Sequence, residues 1–373
     1  MLDIFEYDPS ADYRPQGGSL DLHEHSGQYA LCEANLWPEF LKYARYDSQE
    51  AKTFDKHGSL IIQDRGTSEG EKGTKPQIDR TELRNLLLQS IDPGMVRWGF
   101  TLSKVEPNSD NTYDLHFKNG QIEHDYDLVV GADGTWSRVR PLVTLAVPFY
   151  SGLCFIEMNI PKPEGSNYDS VNALIGRGTI YAFVASQGMY AQRLSDNSVR
   201  VYAMFYSATE DHAWAEQFIE CPVEQARSKI IEQFQGWAPM LLGVLRATEG
   251  PLVPRPLYMF PVDHKWEARP GVTLIGDAGH VMTPAAGEGV DMAMWDGAEL
   301  AKAIVTGIKE GNLYEKVQAS ELELFERAED SARGTERNLR TFVSSDDVRE
   351  NFKDIMREQE QAVGRSLWAE PQI

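Results

Sequence analysis

Segments in which apolar and polar residues alternate, or in which apolar residues form short runs, predict β-strands in this chain. The opening residues MLDIFEYD alternate up to the breaker Pro9. Runs without alternation, such as DLVVG, are typical of strands buried in a parallel sheet, and Asn119-Gly120 predicts a hairpin turn. Strand patterns occupy residues 1–8, 52–62, 113–118, 122–126, 127–131, 199–206 and 272–276.

Apolar residues at helical spacing predict several helices. Pro38 marks the point where the first of them is expected to end or bend. Asp79 is a predicted N-cap, because Glu82 follows it by three residues. The Gly- and Lys-rich residues 66–75 predict a surface loop. Helical patterns occupy residues 26–43, 79–88, 289–309 and 314–341.

Strand–helix units in the first and last thirds of the chain flank a strand-rich segment that begins near residue 148. This order predicts an α/β fold in which a Rossmann-like nucleotide-binding domain is split by a β-rich substrate domain. We place the nucleotide-binding domain at residues 1–50, 76–147 and 250–312, the substrate domain at 51–75 and 148–249, a long C-terminal helix at 313–345 and a tail at 346–373.

Composition narrows the classes of function. A formal net charge of -21 argues against a nucleic-acid partner, because phosphate contacts need a basic face. The sequence has no apolar run long enough to span a membrane and no signal segment at its start. Three cysteines without a CxxC spacing favour a reducing compartment and predict no metal site. We expect a soluble, cytoplasmic monomer.

The strongest chemical signal is TLIGDAGHVMTPAAGEGVD, residues 273–291. Its Asp277 follows a buried strand, at the edge where open α/β sheets bind ligands, and can accept hydrogen bonds from ribityl or ribose hydroxyls. Pro284, Gly287 and Gly289 then let the backbone approach a flat ring before a helix begins, and the helix N-terminus favours negative charge. The alternative is an ordinary strand–turn–helix with a capping aspartate.

A second signal is DLVVGADGTWSRVR, residues 127–140. Here too a buried strand leads into a turn, at Asp133 and Gly134, with Ser137 and Arg140 at fixed offsets. The aspartate can position basic groups or water around a pyrophosphate, and the glycine permits a tight turn. Taken alone, the string also fits a capped helix.

In this order the two strings resemble the DG and GD motifs of FAD-dependent aromatic hydroxylases related to para-hydroxybenzoate hydroxylase. The run GGSLDLHEHSGQ (17–28) and the helix start DRTELR (79–84) resemble the tetracycline-inactivating flavin monooxygenases and their fungal relatives more closely. The resemblance covers residues 1 to about 310 and implies that the nucleotide-binding domain holds FAD.

The resemblance also implies roles for individual residues. Glu6 matches the acid that binds the adenosine ribose, and Arg14 matches an arginine that contacts NADPH. Structural alternatives remain open: Arg14 is a charge on a surface loop, Arg84 is a charge on a helix face, and Asp21 is a capping residue. The implied cofactor-binding set is Glu6, Arg14, Asp21, Arg84, Asp277, Pro284, Gly287 and Gly289.

One part of the family pattern is missing, because no GxGxxG occurs in the 373 residues. In the family this loop lies in a first strand–helix unit before the acid that Glu6 matches. We therefore expect unpaired strand edges, weak FAD binding and poor folding. The chain is a truncated product, has lost its flavin, or uses another segment for the lost strand. Tyr7 and Asp291 also depart from the family's arginine and asparagine.

The activity that the resemblance implies is a monooxygenation. FAD is reduced by NADPH or NADH and transfers one atom of O2, through a flavin hydroperoxide, to an aromatic, enolic or polycyclic small molecule of tetracycline or polyketide type. No catalytic side chain is assigned, and His23, His25 and His280 are interpreted as structural. A non-catalytic remnant and a flavin reductase are the alternatives. Candidate substrate residues are Glu157, Met158, Tyr181, Phe183 and Met204.

Overall fold

The structure is a computed structural model and describes most of the chain. The described residues are 2–14, 17–66, 75–207, 213–218, 220–344, 346–347, 349–350, 352–353 and 357. The predicted loop at residues 66–75 and the predicted tail therefore lie largely outside the described residues.

Sixteen strands are present in the described part of the chain. The predicted hairpin is confirmed, and its two strands flank the Asn119-Gly120 turn. The strands are β1 Ile4–Glu6, β2 Ser19–Asp21, β3 Ala51–Phe54, β4 Leu60–Asp64, β5 Gln77–Asp79, β6 Val96–Trp98, β7 Leu102–Pro107, β8 Tyr113–Phe117, β9 Ile122–Tyr126, β10 Val129–Gly131, β11 Phe149–Ile160, β12 Thr179–Val184, β13 Gln187–Arg193, β14 Val199–Tyr206, β15 Glu249–Met259 and β16 Val272–Leu274.

The α-helices include two long ones at the end of the chain, where the apolar spacing predicts them. The long C-terminal helix is confirmed as a 30-residue element. No described helix is both long and apolar enough to cross a membrane. The helices are α1 Tyr29–Glu33, α2 Trp37–Phe40, α3 Arg80–Gln89, α4 Asp169–Ile175, α5 Val223–Gln233, α6 Pro239–Arg246, α7 Asp277–His280, α8 Gly289–Glu310 and α9 Leu313–Phe342.

The single helix predicted over residues 26–43 is wrong in detail. The segment begins with a π-helical turn, Glu24–Gln28, and continues as α1 and α2. The break lies at Asn35, whose φ is +58°, a left-handed conformation that an α-helix cannot continue through. Pro38 lies in the first turn of α2, where its missing N–H costs nothing.

The largest sheet in the described part of the chain has seven strands. Its strand order is β15-β11-β14-β13-β12-β3-β4, and only the β12–β3 pair is parallel. One face is apolar and packs against α4, α5 and α6 in the largest core of the protein. The opposite face carries aromatic and charged residues and is turned toward the loops that follow β2 and β16.

The part of the chain that the sequence predicts to bind a nucleotide contains two separate pairs of parallel strands. β1 pairs with β6, and β10 pairs with β16. Among the described residues, β1 and β10 each have no second strand partner, so both present an open edge. Phe5 of β1 nevertheless packs into the same core as Val129 of β10. The predicted unpaired edges are therefore observed, and no other described strand takes the place between them.

Candidate functional site

The site contains two carboxylates that the sequence predicts. Asp21 lies at the end of β2, and Asp277 lies at the start of α7. Both are accessible to solvent although protein surrounds them. Burial raises the pKa of each carboxyl. The Gln77 amide donates a hydrogen bond to Asp21 over 2.8 Å, and His280 and Arg80 act on Asp277 in the opposite direction to burial. Accessible acceptors in a crowded environment are suited to binding hydroxyl groups of a ligand.

The turn between Asp277 and α8 has the open backbone that the sequence predicts. The Gly287 N–H donates to the Pro284 carbonyl over 3.0 Å, and Gly287 has a φ of +74°, which requires glycine or strains any other residue. A side chain built at Gly289 would meet no described atom within 4 Å. The first residue of α8 therefore has open space on the side where a side chain would lie.

Arg140 connects the two sequence motifs directly. Its buried guanidinium donates to the carbonyl of Ala278, which follows Asp277, over 3.1 Å, and to the Thr135 carbonyl over 2.8 Å. The guanidinium also lies over the ring of Phe260, 5.0 Å from its centre. One side chain therefore fixes the turn after β10 relative to the turn after β16.

His280 and Asp296 form a buried ion pair behind the same turn. His280 Nε2 lies 2.5 Å from Asp296 Oδ2, which also accepts the Gly276 N–H over 3.1 Å. Burial acts to lower the pKa of His280, but the hydrogen bond and charge of Asp296 outweigh it and raise that pKa. Arg327 contributes a second cation, 3.3 Å from Asp296 Oδ1. The pair anchors the loop that carries Asp277 onto α8.

Asp291 of α8 binds the π-helical turn that follows Asp21. Its Oδ1 accepts the His23 N–H at 2.8 Å, the Gly27 N–H at 3.0 Å and the Ser26 hydroxyl at 3.2 Å. A side chain at position 27 would come within 2.4 Å of that oxygen, so only glycine permits the approach. Asp291 Oδ2 is buried and has no partner among the described residues. The carboxylate thus replaces the family's asparagine as a bridge between two parts of the site.

The pH dependence of stability should reveal this bridge. Burial raises the pKa of Asp291 from 3.8 to about 6. Between those values the unfolded chain ionises first, so the folded state loses relative stability as pH rises, by about 3 kcal/mol in all at 1.36 kcal/mol per pKa unit.

Asp291→Asn removes this titration. The free energy of unfolding of the variant relative to wild type should therefore rise between pH 4 and pH 6 and stay level above that range. Denaturant titrations at pH 4, 5, 6 and 8 measure it, with the exposed Asp330→Asn as the matched control. A difference that does not change with pH would contradict the role of Asp291.

Three predicted residues gather around Asp8, which the sequence reasoning missed. They are Glu6, expected at the adenosine ribose, Arg14, expected at NADPH, and Arg84, expected at the phosphates or ribityl chain. Asp8 is 1% exposed. Both of its oxygens accept from Arg14 Nε, at 3.1 and 2.9 Å, and Arg84 lies 3.8 Å away. Arg84 also donates to the Ala11 carbonyl, while Glu6 accepts the Asp8 N–H over 3.0 Å. Glu6, Arg14 and Arg84 are thus in one cluster at the end of β1.

The inner face of the large sheet is the face opposite to α4, α5 and α6. Residues that pair across neighbouring strands form rows on this face. The tyrosine row runs across four strands as Glu157, Tyr202, Tyr190 and Tyr181. The apolar row beside it runs as Arg255, Phe155, Met204, Gly188 and Phe183. Four of the five predicted substrate residues lie in these rows. The expectation for Met158 is wrong, because Met158 points to the opposite face and packs in the helix-covered core.

Direct contacts hold this face against strand β2, which ends at Asp21. The Gln192 side chain accepts the Ser19 N–H over 2.9 Å, and Arg45 bridges Ser19 and Asp79, both at 2.8 Å. Asp79 therefore does not cap α3 with its side chain, contrary to expectation. Burial raises the pKa of Tyr181, and the charge of the Asp21 carboxylate raises it further.

The chain is similar to known proteins in sequence and in fold. No family model matches the chain. Monooxygenase asqM of Emericella nidulans is 28% identical over 329 residues, which are 77% of this chain and 73% of that protein. Two solved structures share the fold. HpxO of Klebsiella pneumoniae, complexed with FAD and uric acid, has a TM-score of 0.73 at 16% identity over 96% of this chain and 86% of that one. The tetracycline destructase Tet(51) has a TM-score of 0.68 at 16% identity, over 100% and 92%.

In sequence the chain is similar to curated monooxygenases, and it has the fold of FAD-dependent monooxygenases of the aromatic-hydroxylase type. The residues fit the isoalloxazine and ribityl part of FAD, because Asp21 and Asp277 offer accessible carboxylates and Asp291 of α8 binds the turn that follows Asp21, while Ala285 of the glycine turn packs in one cluster with Tyr181. The fit is less complete for the pyrophosphate, since the sequence offers no GxGxxG. The bound FAD would therefore depend strongly on contacts at its ring end.

Proposed function

We propose that this protein is an FAD-dependent, NAD(P)H-using monooxygenase that hydroxylates an aromatic, enolic or polycyclic small molecule. The observation that carries the proposal is that Asp291 of α8 binds the turn after Asp21, while Ala285, in the turn between Asp277 and α8, packs in one cluster with Tyr181. Bound FAD, once reduced, would supply the activation of O2 and the transfer of one oxygen atom. The chain's own residues bind and orient the reactants.

Each predicted cofactor residue has a proposed task. Asp21 and Asp277 accept hydrogen bonds from hydroxyl groups of the cofactor, while Pro284, Gly287 and Gly289 shape the turn beneath its ring. Glu6, Arg14 and Arg84 serve the adenosine side and the approach of NADPH through the cluster at Asp8, whose charge holds both arginines in place.

On the substrate side, Tyr181 would contact a flat molecule. Phe183 and Met204 are buried in one cluster with Leu339 of α9 and would support that contact from behind. Burial raises the pKa of Tyr181 and of Tyr190, so both hydroxyls stay neutral at physiological pH and can donate hydrogen bonds. Both oxygens of Glu157 are occupied by arginines. Glu157 would therefore act on a substrate through those arginines.

The proposal is tested with the purified full chain, FAD, NADPH or NADH, and a panel of phenols, enols and polycyclic ketones. The expected result is substrate-dependent consumption of NAD(P)H with one atom of 18O from 18O2 in the product. Substrate-independent consumption without labelled product would show a reductase instead. A chain that binds no FAD and consumes no NAD(P)H would show a non-catalytic remnant.

A further inference from the structure

The inner face of the sheet has a positively charged end. Glu157 accepts Arg200 Nη1 through Oε1 at 2.8 Å and Arg255 Nε through Oε2 at 2.9 Å. Two guanidinium groups share one carboxylate, which leaves one positive charge at this end of the tyrosine and apolar rows. A positive cluster on an inner face stands out in a protein whose formal net charge is -21.

The two arginines are not equivalent. Arg200 has 17% of its side chain exposed, and its bond is enough to neutralise the buried Glu157. Arg255 has 50% of its side chain exposed and uses only Nε in its bond to Glu157. Among the described residues, its terminal amino groups make no side-chain hydrogen bond. Arg255 is therefore not needed to neutralise Glu157, and its terminal nitrogens can donate hydrogen bonds to another group.

Arg255 lies at one end of the apolar row. In the register of β15 with β11, Arg255 pairs with Phe155, so it ends the apolar row that continues through Met204. Two residues further along β15, Leu257 joins the apolar cluster that also contains Ala285 of the turn before α8. The apolar strip thus runs from a guanidinium to the turn where the cofactor ring is proposed to lie.

We propose that Arg255 receives an anionic oxygen, of a carboxylate, phenolate or enolate, on a flat and mainly apolar substrate that lies against the half-buried Phe155 and Leu257, between Arg255 and the turn before α8. Glu157 is a positioning residue, because it holds the guanidinium by Nε and leaves the two terminal nitrogens for a bidentate contact. The inference rests on the proposed function. It adds that the substrate carries a negative charge.

The test uses the full chain with excess FAD, at pH 8, and isothermal titration with two matched probes, naphthalene-2-carboxylate and naphthalene-2-carboxamide. The expected result is about tenfold tighter binding of the carboxylate, since a hydrogen bond to a charged group contributes enough for that ratio. Arg255→Gln should remove the preference. Arg246→Gln, at the end of α6 on the other side of the sheet, makes the same charge change and should keep it.

A second variant protects the test against misfolding of the first. Arg255→Lys keeps the positive charge but lacks the planar pair of N–H groups, so it should lower the preference for the carboxylate without removing it. Equal binding of the two probes, binding of neither, or a preference that survives Arg255→Gln would overturn the inference. In a chain that binds FAD, such a failure leaves the proposed function standing. A charge preference in a chain that binds no FAD would instead contradict the proposed function.

Discussion

Asp296→Ala should lower the free energy of unfolding by about 3–5 kcal/mol, the largest effect expected of a single substitution near the site. The change leaves His280 buried without its partner at 2.5 Å and removes the acceptor of the Gly276 N–H. Arg327 loses its contact with the same carboxylate. Denaturant titration at neutral pH measures the loss.

The exposed Asp330→Ala lies on α9 and is the matched control, with an expected change below about 0.5 kcal/mol. The double variant with His280→Ala should lose less than the sum of the two single losses, because both remove the same ion pair. Additive losses, or a loss below about 1 kcal/mol for Asp296→Ala, would show that the pair does not anchor the turn.

Asp277→Ala should change stability and flavin binding in opposite directions. Burial raises the pKa of this carboxyl, so its ionised form is unfavourable in the folded protein without a ligand. Its removal should therefore raise the midpoint of thermal unfolding of the flavin-free chain. The loss of a charged acceptor should at the same time weaken FAD binding by about 10- to 100-fold.

The two readouts distinguish a binding residue from a structural one. Thermal unfolding without FAD and fluorescence titration with FAD are measured on the same preparations, and the exposed Glu267→Ala serves as control. A capping aspartate, the alternative for this position, would lose stability on substitution. A less stable variant with unchanged FAD affinity would therefore support that alternative.

Local patterns predicted the parts of the site that depend on neighbouring residues. The strands β10 and β16, the turn with Gly287 and the helix α8 all lie where apolar runs, glycines and helical spacing indicate. The alternation of strands also identified Tyr181, Phe183 and Met204 on one face. Met158 was assigned wrongly because it is adjacent to Glu157 in sequence, and neighbours on a strand point to opposite faces.

Partners that are distant in sequence could not be predicted. Arg255 is 98 residues from Glu157, and Asp291 is 268 residues from His23. Nothing near Asp8 indicates that it will be buried between two arginines, or near Asp296 that it will meet His280. Periodicity places a side chain on a face but does not identify its partner across the fold. One usable indication came from the sequence, because Asp291 stands where the family has asparagine. This difference marked a position whose side chain makes different contacts.

A titration of the purified full chain with FAD, followed at equilibrium by the change in flavin fluorescence, tests most directly whether the protein has a flavin site. We propose that the Asp21 and Asp277 carboxylates, the open turn at Gly289 and the tyrosine row together form that site. The expected result is saturable binding of one FAD per chain. FAD fluorescence that stays unchanged at every concentration of the chain would contradict the proposal.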